Sequence, residues 1–177
     1  MSTERTPDEH GEVPWLSPEQ QREWIALVQL LAVLPPALDA QLKRDVGLNG
    51  YEFQVLTALS DSPDRTLGLS ELAEMAQGSL SRLSHAVTRL ERGGYVERRT
   101  CTGGGRRMEA RLTDAGFAKL EEAVPGHVRE ARRLVIDALT PEQLTALGDA
   151  ARAIHAVAIA DPPEACREAC AEAAGDC

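Results

Sequence analysis

The residues with the most chemistry to offer are arginines crowded into one stretch. Between Ser79 and Thr113 stand eight basic residues, Arg82, Arg89, Arg92, Arg98, Arg99, Arg106, Arg107 and Arg111, against three acidic ones, Glu91, Glu97 and Glu109. That is a basic island in a chain of formal net charge −9. A guanidinium is a planar, permanently charged fork of five donors that matches phosphate oxygens and guanine edges. Screening over roughly 8 Å at physiological salt lets such an island act on a polyanion without cancellation by distant carboxylates. The chemistry on offer is recognition, and double-stranded DNA is the expected partner.

Other reactive residue types do not assemble into a site. Cys166 and Cys170 are four apart and would share a helix face, as metal thiolates or redox thiols do. A tetrahedral zinc site uses closer CxxC pairs and a second matching pair, which are absent. Cys101 stands among Arg98, Arg99, Arg106 and Arg107, surroundings that lower a thiol's pKa, so Cys101, Cys166 and Cys170 are the redox candidates. His10, His85, His127 and His155 are dispersed without HExxH, no GxSxG elbow occurs, and Gly103-Gly104-Gly105 lacks the GK[ST] of a phosphate loop. No enzyme, metal or cofactor is expected.

The arginines need a scaffold, and the punctuation of the chain outlines one. With 43% hydrophobic and 3% aromatic residues, the 177-residue chain is expected to form one mainly helical folding unit. Residues 1–16 read as a mobile tail, acidic and without the apolar core of a secretory signal. Ser17-Pro18-Glu19-Gln20 is a capping signal for a helix with Trp24, Leu27, Val28 and Leu31 on one face. Pro35-Pro36 should kink or interrupt it, leaving a second piece from Ala37 to Val46. Asn49-Gly50-Tyr51-Glu52 is a capping box, opening a helix with Phe53, Val55, Leu56 and Leu59 buried. Asp61 to Asp64 ends that helix and an extended stretch, Arg65 to Leu69, follows. Ser70 is expected to cap a short helix to Ala76, Gln77-Gly78 to turn the chain, and Ser79 to cap a helix ending at Gly93-Gly94. Two helices across a tight turn form a helix-turn-helix. In the second, Leu80, Leu83, Val87 and Leu90, with Ala86 at the edge, should face the core. Ser81, Arg82, His85, Thr88, Arg89 and Arg92 should face outward, where the major groove would lie.

After Gly94 the period becomes 2. Tyr95–Thr100 and Arg106–Leu112 are expected to make a two-stranded wing around a glycine tip. Thr113 caps a helix expected to reach about Leu139 with a kink at Pro125-Gly126. Thr140-Pro141-Glu142-Gln143 opens a last one with Leu144, Leu147, Ala151, Ile154 and Val157 on one face. The fold class is therefore mainly α with a small β wing: a winged helix-turn-helix over about 48–113, dimerisation helices at 17–46 and 114–160, and a polar Cys-containing tail at 161–177. Apolar faces on both terminal helices exceed what one small lobe can cover, which calls for a homodimer. No apolar run approaches the ~20 residues that cross a bilayer, so no membrane partner and a cytoplasmic location are expected.

Over about Ser17 to Ile159 the sequence resembles the MarR (multiple-antibiotic-resistance regulator) family of winged-helix transcriptional regulators. The resemblance rests on LSELAEMAQGSLSRLSHAVTRLERGGYVERR and the following GGGRRMEARLTDAG. It implies a DNA-binding regulator, a ligand-responsive repressor acting as a dimer on a palindromic operator. Ser81, Arg82, Ser84, His85 and Arg89 fall at recognition-helix positions and Arg106, beside Arg107, at the wing arginine. Two positions depart from the family: Gly104 replaces the acidic residue that commonly steadies the wing arginine, and His85 replaces a frequent arginine. Family members often bind small aromatic or phenolic effectors, for which Trp24 is the candidate contact. The alternatives are a thiol-based redox regulator of the same fold, a winged-helix module that binds protein, and the dimerisation piece of a winged-helix methyltransferase. The last needs a C-terminal Rossmann domain, which is not expected here.

Overall fold

In a computed structural model of the chain, residues 13–100 and 108–160 are described. The chain divides into two compact units, residues 1–36 and 37–177. Helix α1 (Pro18–Val46) crosses the boundary without a break in its helical assignment. Of the kink or interruption expected at Pro35-Pro36, the interruption does not occur, although each proline removes one donor from the helix ladder. Ser17 opens the helix as expected: Gln20 N–H donates to its Oγ and Ser17 N–H donates to Gln20 Oε1. Unbroken, α1 is long and apolar enough to cross a membrane, contrary to the expectation that no such run exists. Its last turns have another use, because Gln41 and Leu42 are buried and Leu42 belongs to the hydrophobic core.

In the second unit, α2 (Gly50–Asp61) begins at the expected capping box. Glu52 N–H donates to Asn49 Oδ1 at 2.9 Å, and Asn49 N–H donates to Glu52 Oε2 at 2.9 Å. Asp39, on α1, adds an acceptor for Gly50 N–H at 2.7 Å, fixing the start of α2 from below. Val55, Leu56 and Leu59 are fully buried, and Phe53, expected with them, is half-buried against the His127 ring at 4.6 Å. Burial lowers the His127 pKa below its ordinary value.

A left-handed pair, Asp64 and Arg65, turns the chain into strand β1 (Thr66–Gly68). The Arg65 guanidinium lies 3.9 Å over the Phe117 ring and 3.3 Å from Asp114 Oδ1, which holds the turn. Helix α3 (Leu69–Met75) starts from Gly68, two residues before the expected cap at Ser70. The sheet has three strands rather than two, in the order β1-β3-β2, with β2 (Val96–Thr100) and β3 (Met108–Leu112) forming the wing. The expected extended stretch is recruited as β1, pairing Leu67 with Ala110 in antiparallel register.

Helix α4 (Leu80–Arg92) buries Leu83, Ala86, Val87 and Leu90. Leu80, expected in the core, is exposed, as is Met108 on β3. Helix α5 (Asp114–Leu134) opens at Thr113, whose Oγ1 accepts from Gly116 N–H at 2.9 Å. It passes through Pro125 but ends at Leu134, short of the expected Leu139, because Val135 leaves helical geometry and a 3-10 turn (Ile136–Ala138) follows. Helix α6 (Pro141–Ala160) has no buried residue.

The first turn of α5 is seated against the segment between α4 and β2. Thr113 N–H donates to Tyr95 O at 3.0 Å, and a Cβ at Gly116 would stand 2.1 Å from that same oxygen. Backbone cannot yield there as a side-chain tip can. Gly116→Ala is expected to destabilise the fold by about 1–3 kcal/mol through overpacking, read as a lower midpoint in urea unfolding.

Candidate nucleic-acid interface

With 100° between successive residues, the burial of Leu83, Ala86, Val87 and Leu90 points one arc of α4 at solvent. Ser81, His85, Thr88 and Arg92 lie along its middle. Arg82 and Arg89, seven apart, form one flank, and Ser84 and Glu91 the other. Ser79 starts the helix, its Oγ accepting from Arg82 N–H at 3.2 Å, so the solvent arc begins directly at Ser81.

Each flank is tied to a different neighbour. On one side Arg89 Nε donates to Glu52 Oε1 at 2.6 Å, and the Arg82 guanidinium stacks 4.1 Å from the Tyr51 ring centre. Tyr51 and Glu52 are only 6% exposed. Burial raises the Tyr51 phenol above its ordinary pKa, partly countered by Arg82. Tyr51, Arg82 and Arg89, with Asp39, Lys43, Asn49 and His85, line a cleft of about 460 Å³. Asp39 is held below the usual carboxylate range, first by its bond from Gly50 N–H and then by Lys43 at 2.6 Å.

On the other side Arg98, from β2, reaches back to the helix. Its Nη2 donates to Ser84 O at 2.9 Å and Thr88 Oγ1 at 2.8 Å, while its Nε lies 3.2 Å from Glu91 Oε2. The Arg98 N–H donates to the other Glu91 oxygen at 3.2 Å. The wing is thereby latched to α4.

Of the expected site residues, Ser81, Arg82, Ser84, His85 and Arg89 all sit on α4 and are exposed. The cleft brings Arg82, His85 and Arg89 together, whereas the Ser84 carbonyl is engaged by the wing. Arg106, Arg107, Cys101, Cys166 and Cys170 lie outside the described residues. Trp24 lies in the 1–36 unit and is 55% exposed. Among the described residues no group of three or more His, Cys, Asp or Glu could hold a metal ion. Tyr51, Glu52 and Arg98 were not in the expected set. Arg98 carried a signal: it shares the inward parity of Val96 on β2, an arginine where the pattern asks for an apolar residue.

Comparison with known proteins decides the family. A model of the MarR family matches residues 46–107. The chain is 40% identical to Sco3205 of Streptomyces coelicolor, a MarR family transcriptional regulator solved in complex with DNA. The likeness covers 86% of this chain and 94% of that one at a TM-score of 0.79. The chain belongs to the MarR family. AbsC, a second MarR family transcriptional regulator of Streptomyces coelicolor, is 32% identical over 84% of this chain and 100% of its own, also at a TM-score of 0.79. The HTH-type transcriptional repressor YetL of Bacillus subtilis is 35% identical over 81 residues, 46% of this chain, and the chain spans about half the length of that curated relative. This MarR protein is a DNA-binding transcriptional regulator with a winged-helix fold.

In this MarR protein the Arg98 latch joins the wing to the helix. Arg98→Leu should remove it while leaving an apolar stem in place. Loss of charge-assisted hydrogen bonds is expected to cost on the order of 1–2 kcal/mol in stability, and hydrogen exchange should show faster opening of the β2 and β3 amides than of α2.

Proposed function

We propose that this MarR protein is a repressor that binds a palindromic operator as a homodimer in the cytoplasm and releases it on binding a small aromatic or phenolic effector. The observation that carries the operator reading is the solvent arc of α4. Ser81, His85, Thr88 and Arg92 present donors and acceptors of the kind that read base edges, with Arg82 and Arg89 alongside for phosphate or guanine. No carboxylate stands in the middle of that arc. Arg106 and Arg107, between β2 and β3 in the sequence, add two further positive charges. The DNA complex of Sco3205 and the repressor YetL support this reading.

Uncovered surface supports the homodimer. Trp24, Val28 and Leu31 on α1 are exposed, and so are Ile154, Val157 and Ile159 on α6. Apolar area of this kind on a regulator marks an interaction surface, and a second copy presents the same helices in return. The proposed division places the DNA-binding lobe at about 48–113 and the dimerisation helices at 17–46 and 114–160. Two lobes related by a twofold axis suit half-sites about one helical turn apart. The effector contact proposed is Trp24, whose indole offers an aromatic ring a ligand can stack on.

Selection of a bound duplex from random DNA, followed by anisotropy titration, tests the operator reading. Affinity should fall steeply with salt as counterions are released, and Arg89→Ala and Arg106→Ala should each cost about 1–3 kcal/mol. Binding indifferent to salt and to both substitutions would end it. Release of that duplex by phenolic acids should persist when all four cysteines are serine, and release that requires the thiols transfers control to redox chemistry.

Sedimentation of the wild-type chain should show a dimer at micromolar concentration. A monodisperse monomer refutes the homodimer.

A further inference from the structure

Two consecutive residues of α2 hold two arginines of α4. Arginine side chains have many rotamers, and a contact made by a mobile one must first give up that freedom. Glu52 has both carboxylate oxygens committed: Oε2 accepts Asn49 N–H at 2.9 Å and Oε1 accepts Arg89 Nε at 2.6 Å. The capping box needs only the first of these, and Gln serves that position as well as Glu. The second oxygen goes to an arginine whose side chain is 56% exposed, where an ion pair adds little to stability. It engages the guanidinium nitrogen nearest the backbone, so both terminal nitrogens keep their donors.

Tyr51 does the corresponding work for Arg82. Its ring is buried, with the guanidinium 4.1 Å from the centre. The helix-turn-helix turn closes over it: a Cβ at Gly78 would stand 2.2 Å from the phenol oxygen, so glycine is required by the ring. The left-handed residue of that turn is Gln77, not Gly78. Tyr51 and Glu52 are themselves fixed by the Asn49 cap and by Asp39 on Gly50.

We propose that Glu52 and Tyr51 are positioning residues for operator binding, setting the guanidinium groups of Arg89 and Arg82 before DNA arrives. This rests on the reading that the α4 arginines face the operator. Neither positioning residue touches DNA. Each acts through its arginine, which loses less freedom on binding and meets phosphate or guanine in one fixed geometry.

The test uses the full chain and its selected duplex. Glu52→Gln keeps an oxygen for Asn49 N–H but turns an amide NH2 toward Arg89. Its thermal midpoint should stay within about 3 °C of wild type, while operator affinity falls about tenfold, within the range of coupled neighbours. That loss should vanish in an Arg89→Ala background, and the Arg89 Nε–H resonance in 15N spectra of the DNA-free protein should move. Tyr51→Phe should bind as wild type, since the phenol oxygen has no hydrogen-bond partner. Tyr51→Leu should weaken binding only where Arg82 is present, and this pair decides the matter if Glu52→Gln fails to fold. Wild-type or tighter binding by Glu52→Gln, or a loss undiminished without Arg89, overturns the positioning role and leaves the operator reading standing. Failure of the wild-type chain to bind any duplex overturns the operator reading, and the positioning role with it.

Discussion

Helix α4 can hold its arginines out to solvent only because Leu83, Ala86, Val87 and Leu90 are buried on its other side. Everything around them serves that burial. Val55, Leu56 and Leu59 of α2, Leu72 of α3 and Ala110 and Leu112 of β3 complete one core, in which a lost side chain would leave a cavity the neighbours cannot close. Rotation of α4 about its axis is therefore blocked by packing. Its two flanks are set by polar contacts, Glu52 and Tyr51 on one side and Arg98 on the other. The packing chooses which residues face outward, and the polar contacts choose how they are presented.

The charge balance of the chain fits the same division. A net charge of −9 would repel DNA if spread evenly, but four carboxylates are paired with cations at short range. Glu52 is bound to Arg89, Glu91 to Arg98, Asp39 to Lys43 and Asp114 to Arg65. The middle of the α4 arc carries none. Carboxylates here orient cations without covering the surface that a polyanion would approach.

Much of the fold was legible because helix starts are written locally. Ser17, Asn49, Ser79, Thr113 and Thr140 each open a helix with the expected hydrogen bond. What failed depended on distant chain. The third strand was hidden because Thr66–Gly68 has three residues and becomes a strand only by pairing with β3, more than forty positions on. Leu80 looked like core by its spacing, but it lies in the first turn of α4, beyond the reach of neighbouring elements. The outward face of α4 was readable from periodicity. The anchors at Tyr51 and Glu52 were not, because a capping-box glutamate shows one role in sequence and acquires the second from a helix 37 residues away.

The strand order β1-β3-β2 also shapes how the lobe is made on the ribosome. Helices α2, α3 and α4 need only nearby residues to start, so they can form as they emerge. Strand β1 cannot pair until β3 has been synthesised, since β2 is not its neighbour in the sheet. At roughly 5–20 residues per second, the forty or so residues between them take on the order of 2–8 s. During that interval Leu67 has no sheet to lie in, and α2 and α3 lack the β3 strand they pack against. The turn at Asp64-Arg65 waits in the same way, because Phe117 and Asp114, which hold it, come later still. The nascent chain carries an unfinished core across most of the synthesis of α4 and the wing, which makes this stretch the place where chaperone capture or aggregation competes with folding.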